Sequence, residues 1–277
     1  MLCLVAVAWG GAQMSAQAPA KDTQAQTPTA PSAKPSSGLT THQTVVVTAN
    51  LTPEEKEEGD INEVYQSVDA LQRQNRCPEA IEKYRSSVIP MAEKAKFEVP
   101  KNKFLFLAYR GIADCYLSQE RFAEAEKLYQ RIFQYMPVWP GKDDSDYPIN
   151  LRSVGLARMG QQNWKAAEEP LQKAITVFDE QIEKAAHSDS EFARNEHANN
   201  LRMSQDIALN WLALDYFREQ RFGEALALLE RAYDQALKFH APSTVVRQIV
   251  ENGIGITQAT GDSAAHATWA RRAEALK

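Results

Sequence analysis

Tyr109-Arg110-Gly111-Ile112-Ala113-Asp114-Cys115-Tyr116, followed by Arg121-Phe122-Ala123-Glu124-Ala125, is the stretch on which the reading of this chain turns. Apolar residues recur three and four apart on both sides of the gap, the spacing of one buried face of an α-helix. Ala113 before the gap and Ala125 after it are small. Two helices folded back on each other can approach closely where both carry small side chains, while Tyr129 and Ile132 fill the sides and Pro137 closes the unit.

The same layout returns along the chain. A later copy has Leu209, Leu212, Ala213 and Tyr216, then Arg221-Phe222-Gly223-Glu224-Ala225, Leu229 and Ala232. Another has Leu151, Val154, Gly155, Trp164, Ala167, Leu171 and Ala174, and a fainter first copy has Val64, Val68, Leu71, Cys77, Ala80, Tyr84 and Ser87. A degenerate fifth, 250–273, places Gly261-Asp262 at its turn and Ala270 and Ala273 later, as a terminal cap would. One helical hairpin cannot bury its own apolar face, so such units must stack. The expected fold is all-α: an α-solenoid of four or five antiparallel helical hairpins over residues 52–277. Its start is marked by Thr52-Pro53-Glu54-Glu55, a capping residue, proline in the first helical position and an acidic first turn. Pro100, Pro137, Pro140-Gly141 and Pro242 punctuate the periodic segments, and Pro90 and Pro170 are expected to break or kink the helices they fall in.

Residues 108–137 and 209–237 resemble tetratricopeptide repeats. Ala80, Ala125, Ala167 and Ala225 follow one another at 45, 42 and 58 residues. That spacing is longer than the family's usual one and resembles the kinesin-light-chain-like subclass. Residues 166–174 (AAEEPLQKA) are similar to that subclass's second helix, proline included. The interval of 58 implies an insertion around 181–200, and Cys77 stands where the family usually has an aromatic.

Outside the repeats, residues 1–18 carry no charge, and 2–9 (LCLVAVAW) form a short apolar run ahead of Ala16-Gln17-Ala18, the small-x-small pattern of a signal-peptidase site. The basic region that should precede the run is missing, so the natural start is expected upstream. Residues 19–51 read as a Pro-, Ala-, Thr- and Ser-rich flexible linker. Within it the β-prone Val45-Val46-Val47-Thr48 packs on the first helix, stays loose, or pairs with a partner's sheet edge. Export to a bacterial periplasm or envelope is expected, and would permit Cys77 and Cys115 to pair; packed free thiols are the alternative.

Composition excludes several classes. The net charge of −5 argues against a nucleic-acid partner, which would need clustered Lys and Arg. No apolar run is long enough for a transmembrane helix. His42, His187, His197, His240 and His266 form no HExxH and no pair one helical turn apart, and Asp143, Asp144 and Asp146 lack EF-hand spacing. No phosphate-binding glycine loop or nucleophile elbow occurs. No catalytic residues, metal or cofactor are therefore expected, and the chain reads as a non-catalytic adaptor or scaffold.

The resemblance implies that the inner faces of the first helices line a groove for a protein or peptide partner. Matched to this chain, that groove carries Tyr65, Asp69, Gln72 and Arg73, then Arg110, Asp114 and Leu117, then Arg152 and Leu156, then Asn210, Phe217 and Arg218. Arginines spaced along it, with Tyr65 and Phe217 beside them, suit an acidic or C-terminal peptide. The competing reading pairs those arginines with Asp69 or Asp114 inside the solenoid. Self-association by end-to-end stacking, and service as a regulatory subunit of a separate enzyme, are the alternative functions.

Overall fold

A computed structural model describes residues 51–141 and 144–276. The signal-peptide, linker and Val45–Val47 expectations lie outside those residues, apart from Leu51. From Pro53 onward the chain is one compact unit. It is helical throughout: α1 (Pro53–Arg73), α2 (Cys77–Lys83), α3 (Ile89–Lys94), α4 (Glu98–Ser118), α5 (Phe122–Ile132), α6 (Asp146–Gly160), α7 (Trp164–Ala186), α8 (Ala198–Arg218), α9 (Phe222–Lys238), α10 (Ser243–Thr260) and α11 (Ser263–Glu274). Since α2 and α3 are one helix with a widened turn between them, five hairpins result: α1 with α2–α3, α4 with α5, α6 with α7, α8 with α9, and α10 with α11.

Each repeat follows one register. Val68, Ala113, Gly155 and Ala213 in the first helices, and Ala80, Ala125, Ala167 and Ala225 in the second, are all buried. Tyr84, Tyr129, Leu171 and Leu229, one turn further along, have no exposed surface. The closeness of the helices is visible at Gly155, where an added Cβ would lie 2.6 Å from Leu171. The fifth hairpin keeps the contact and exchanges the sizes: a Cβ on Gly253 would lie 2.3 Å from the indole of Trp269.

The turns repeat as well. Asn75, Glu120, Gln162 and Gln220 take left-handed conformations with φ of 60°, 58°, 61° and 64°, and Gly261 does so at 72°. In three hairpins the next residue is an arginine that pairs with a glutamate in the first turn: Arg76 with Glu79 at 2.5 Å, Arg121 with Glu124 at 2.7 Å, and Arg221 with Glu224 at 2.8 Å. The start of α4 is held differently. Its capping residue Phe97 supplies no side-chain bond, and the Glu57 carboxylate on α1 accepts the Lys96 and Phe97 N–H groups at 2.9 and 3.0 Å.

Two prolines act otherwise than expected. Pro170 sits inside α7, yet the helix continues to Ala186. A proline removes the N–H that would bond the carbonyl four residues back. Here that Ala166 carbonyl accepts from the Arg158 guanidinium at 2.8 Å, so the lost bond is replaced from α6. Pro90 is accommodated by the widened turn Tyr84–Val88, after which the Ile89 N–H reaches back to the Tyr84 carbonyl. The expected insertion is present as the long α7, a turn, and a second widened turn at Ala193–His197 leading into α8.

Cys77 and Cys115 are joined as a disulfide with their Cα atoms 5.3 Å apart, tying the first hairpin to the second. Further along, the residues at the Cys77 position meet the next hairpin through their rings: Phe122 lies against Gly160, and Trp164 lies under the Arg218 guanidinium at 5.5 Å. First helices touch successive first helices, α1 on α4, α6 on α8 and α8 on α10, while no comparable packing joins α5 to α7 or α7 to α9. Successive hairpins are joined most extensively by each second helix on the next first helix, α5 on α6, α7 on α8 and α9 on α10.

Candidate functional site

The inner wall that the repeat resemblance implies would be formed by α1, α4, α6, α8 and α10, and the repeat register assigns its side chains. Three residues before each small packing residue stand Tyr65, Arg110, Arg152 and Asn210; one residue after it stand Asp69, Asp114 and Leu156. Gln72, Leu117 and Phe217, then Arg73 and Arg218, follow one turn on. Polar groups occupy this wall in the first three hairpins. The row one residue after the small one turns apolar from the third hairpin on, with Leu156, Leu214 and Ile254.

Most of the charged groups are bonded within the wall. Arg73 pairs with Asp69 at 2.5 Å, and Arg110 pairs with Asp146 from the next hairpin. Asp114 accepts from the Tyr129 hydroxyl at 2.6 Å. Burial pushes the Asp114 carboxyl upward, and Arg110, Tyr129 and Arg152 oppose it. Burial alone would lower Arg110, but Asp146 and Asp114 outweigh it and hold the guanidinium above its ordinary value. Tyr65 lies between Tyr84 and Phe104, ring centroids 6.1 and 6.0 Å away, and burial raises its phenol.

Arg152 differs. It donates to the Ser204 carbonyl at 3.3 Å, its Nε is buried without a hydrogen bond, and it forms no ion pair among the described residues. Burial, with Arg110 beside it, brings the guanidinium down to about 10. A guest carboxylate would relieve both effects. Asn210 accepts from Asn252 at 2.8 Å, Phe217 packs on Phe222 at 5.7 Å, and Arg218 is exposed over Trp164.

The structure thus brings Tyr65, Asp69, Arg110, Asp114 and Arg152 into one polar cluster, and places Asn210, Phe217 and Arg218 further along the same wall. Asp146, Tyr129, Ser204 and Asn252 complete these contacts and were not singled out from the sequence as groove residues. Each lies on another element, and Asp146, Ser204 and Asn252 lie 36, 52 and 42 residues from the groove residues they meet. Only the repeat register could have paired them. Among the described residues no cluster of His, Cys, Asp and Glu is arranged to hold a metal, and no helix is long and apolar enough to cross a membrane.

This architecture has known counterparts. Residues 104–180 match the model of the tetratricopeptide repeat family. The fold is similar to the crystal structure of BtubC (BKLC) from P. vanneervenii, with a TM-score of 0.60 and 14% identity over 82% of this chain and 91% of that one. It is also similar to a kinesin-light-chain protein of nearly identical TPR-like repeats from Podosopora anserina, with a TM-score of 0.56 and 14% identity over 79% of this chain and 95% of that one. No curated protein matches the sequence. The chain therefore has the fold of a tetratricopeptide-type solenoid, a class that generally mediates protein–protein interaction, with the long repeats of kinesin-light-chain-like proteins.

Proposed function

We propose that this protein is a non-catalytic adaptor or scaffold of the bacterial cell envelope that holds a protein or peptide partner along the inner wall of its solenoid. The observation that carries this reading is Arg152: a cation half withdrawn from solvent in the first-helix row of α6, without a carboxylate of its own. Further along α8 and on α10, Leu214, Phe217 and Ile254 are partly exposed apolar side chains in the same register rows. The contact surface of the proposal comprises Tyr65, Asp69, Arg73, Arg110, Asp114, Arg152, Asn210, Phe217 and Arg218. Arg110 and Asp114 serve mainly to shape it, because they are spent on Asp146 and Tyr129. Export is supported by the Cys77–Cys115 bond, which persists in oxidising compartments.

End-to-end self-assembly would need an apolar outer face on the last hairpin. Among the described residues the large apolar side chains with substantial exposure are Leu51, Val99, Val138, Phe192 and Leu237, and none lies on α10 or α11. The test is capture from envelope extract on the parent chain beside a chain carrying Arg152→Gln, Phe217→Ala and Arg218→Glu, both shown folded by circular dichroism. One protein retained by the parent and lost by the variant supports the inner wall as the binding face. An unchanged captured set rules it out.

A further inference from the structure

Arg202 and Asp206 stand one helical turn apart on α8, the spacing at which opposite charges ordinarily join. Here they form no ion pair. Arg202 lies flat over the Phe239 ring at 3.9 Å and donates to the Asn199 side-chain carbonyl at 3.1 Å. Asp206 turns inward, is 1% exposed, and accepts on one oxygen from Gln235 at 2.8 Å. The cation that acts on Asp206 is Arg231, which is paired with Asp179 at 2.5 Å. Both residues line a half-open cavity of about 200 Å³, together with Met203, Phe239, Asn199 and His240.

We propose that this cavity binds a small zwitterion of amino-acid size, with its ammonium group on Asp206, its carboxylate on Arg202 and its side chain against Met203 and Phe239. Each protein group lacks the countercharge that the ligand would bring. Burial pushes the Asp206 carboxyl up to about 7, against the opposing pull of Gln235 and Arg231, and burial lowers the Arg202 guanidinium. A ligand with only one charge would satisfy one group and leave the other as it is. A depression of this size suits a ligand of single-amino-acid size and not a folded partner. The site is formed by α8 and the α9–α10 turn and includes none of the groove residues proposed above, so its test does not depend on the adaptor reading.

The experiment is isothermal titration of the full chain with L-leucine, L-leucine methyl ester and N-acetyl-L-leucine at pH 7.5. The expected result is binding of leucine, with the ester and the N-acetyl compound each weaker by at least about tenfold, or 1.4 kcal/mol. Asp206→Asn should abolish the preference for leucine over N-acetyl-leucine, and Arg202→Gln the preference over the ester. No heat with any of the three, or leucine binding no more tightly than the singly charged analogues, overturns the proposal. That comparison on the unsubstituted chain stands even if a variant fails to fold.

Discussion

Asp215 on α8 is fully buried, and neither of its carboxylate oxygens accepts a hydrogen bond from the protein. Burial, with Glu219 and Glu168 adding repulsion and Arg221 opposing, pushes its carboxyl from an ordinary 3.8 up to about 7. Arg221 cannot neutralise it fully, being shared with Glu168 at 2.8 Å, Glu219 at 3.3 Å and Glu224 at 2.8 Å. An acid whose folded pKa exceeds its unfolded one holds its proton more tightly when folded. Its penalty is absent below about pH 4, grows as pH rises towards 7, and is constant above that. At 1.36 kcal/mol per pH unit the full penalty is about 4 kcal/mol, an upper bound if the site relaxes. Replacement by asparagine removes the charge but buries an amide at a cost of about 1–3 kcal/mol that does not depend on pH. The informative quantity is therefore the change with pH in the stability difference between Asp215→Asn and the parent, measured by urea unfolding at pH 4, 6 and 8. The variant should gain on the parent by up to about 4 kcal/mol between pH 4 and 8, most of it before pH 7. A difference constant within about 0.5 kcal/mol, beyond the usual scatter of such comparisons, would show that the carboxylate finds a partner or solvent and would refute the reasoning.

Other perturbations follow from the packing. Gly253→Ala forces a Cβ into Trp269 and should destabilise by about 1–3 kcal/mol, whereas Gly255→Ala, with nothing within 4 Å, should stabilise by up to about 1 kcal/mol; urea midpoints that move the same way for both would contradict the register of the fifth hairpin. Arg158→Met leaves the Ala166 carbonyl without its replacement donor and should cost about 1–3 kcal/mol. Pro170→Ala in the same chain, by restoring the helix N–H, should recover the part of that loss not due to the Glu126 ion pair that Arg158 also makes at 2.8 Å; no recovery would sink the account of how α7 passes its proline. Cys77→Ser with Cys115→Ser frees a cross-link spanning 38 residues and should lower stability by as much as about 4 kcal/mol. Chemical denaturation with and without reductant checks it, an unchanged parent indicating that the thiols are not bonded.

The hairpins were readable because their physics is local. Ala113 with Ala125, or Ala213 with Ala225, recurs at one offset, and a repeated offset in apolar residues states which face is buried. The fifth hairpin was faint because Gly253 and Trp269 exchange small for large, preserving the contact while erasing the similarity. The two prolines were misjudged because propensity concerns one helix alone. Pro170 is relieved by Arg158 on α6, and Pro90 by a widened turn within its own helix. In the groove, sequence spacing placed Tyr65, Arg110, Arg152 and Asn210 in one row. It could not say that Arg110 is occupied by Asp146 while Arg152 is left with a single carbonyl, since those partners arrive from neighbouring hairpins. Asp206 and Arg202 were unremarkable as residues one turn apart on a helix, and only their turning away from each other draws notice.

Hydrogen–deuterium exchange on the complex with the captured partner tests the central claim most directly. The inner-wall reading predicts added protection in α4, α6 and α8, greatest around Arg152 and Phe217, with α5, α7 and α9 unchanged. Protection confined to α5, α7 and α9 would contradict it and move the binding face to the outer side of the solenoid.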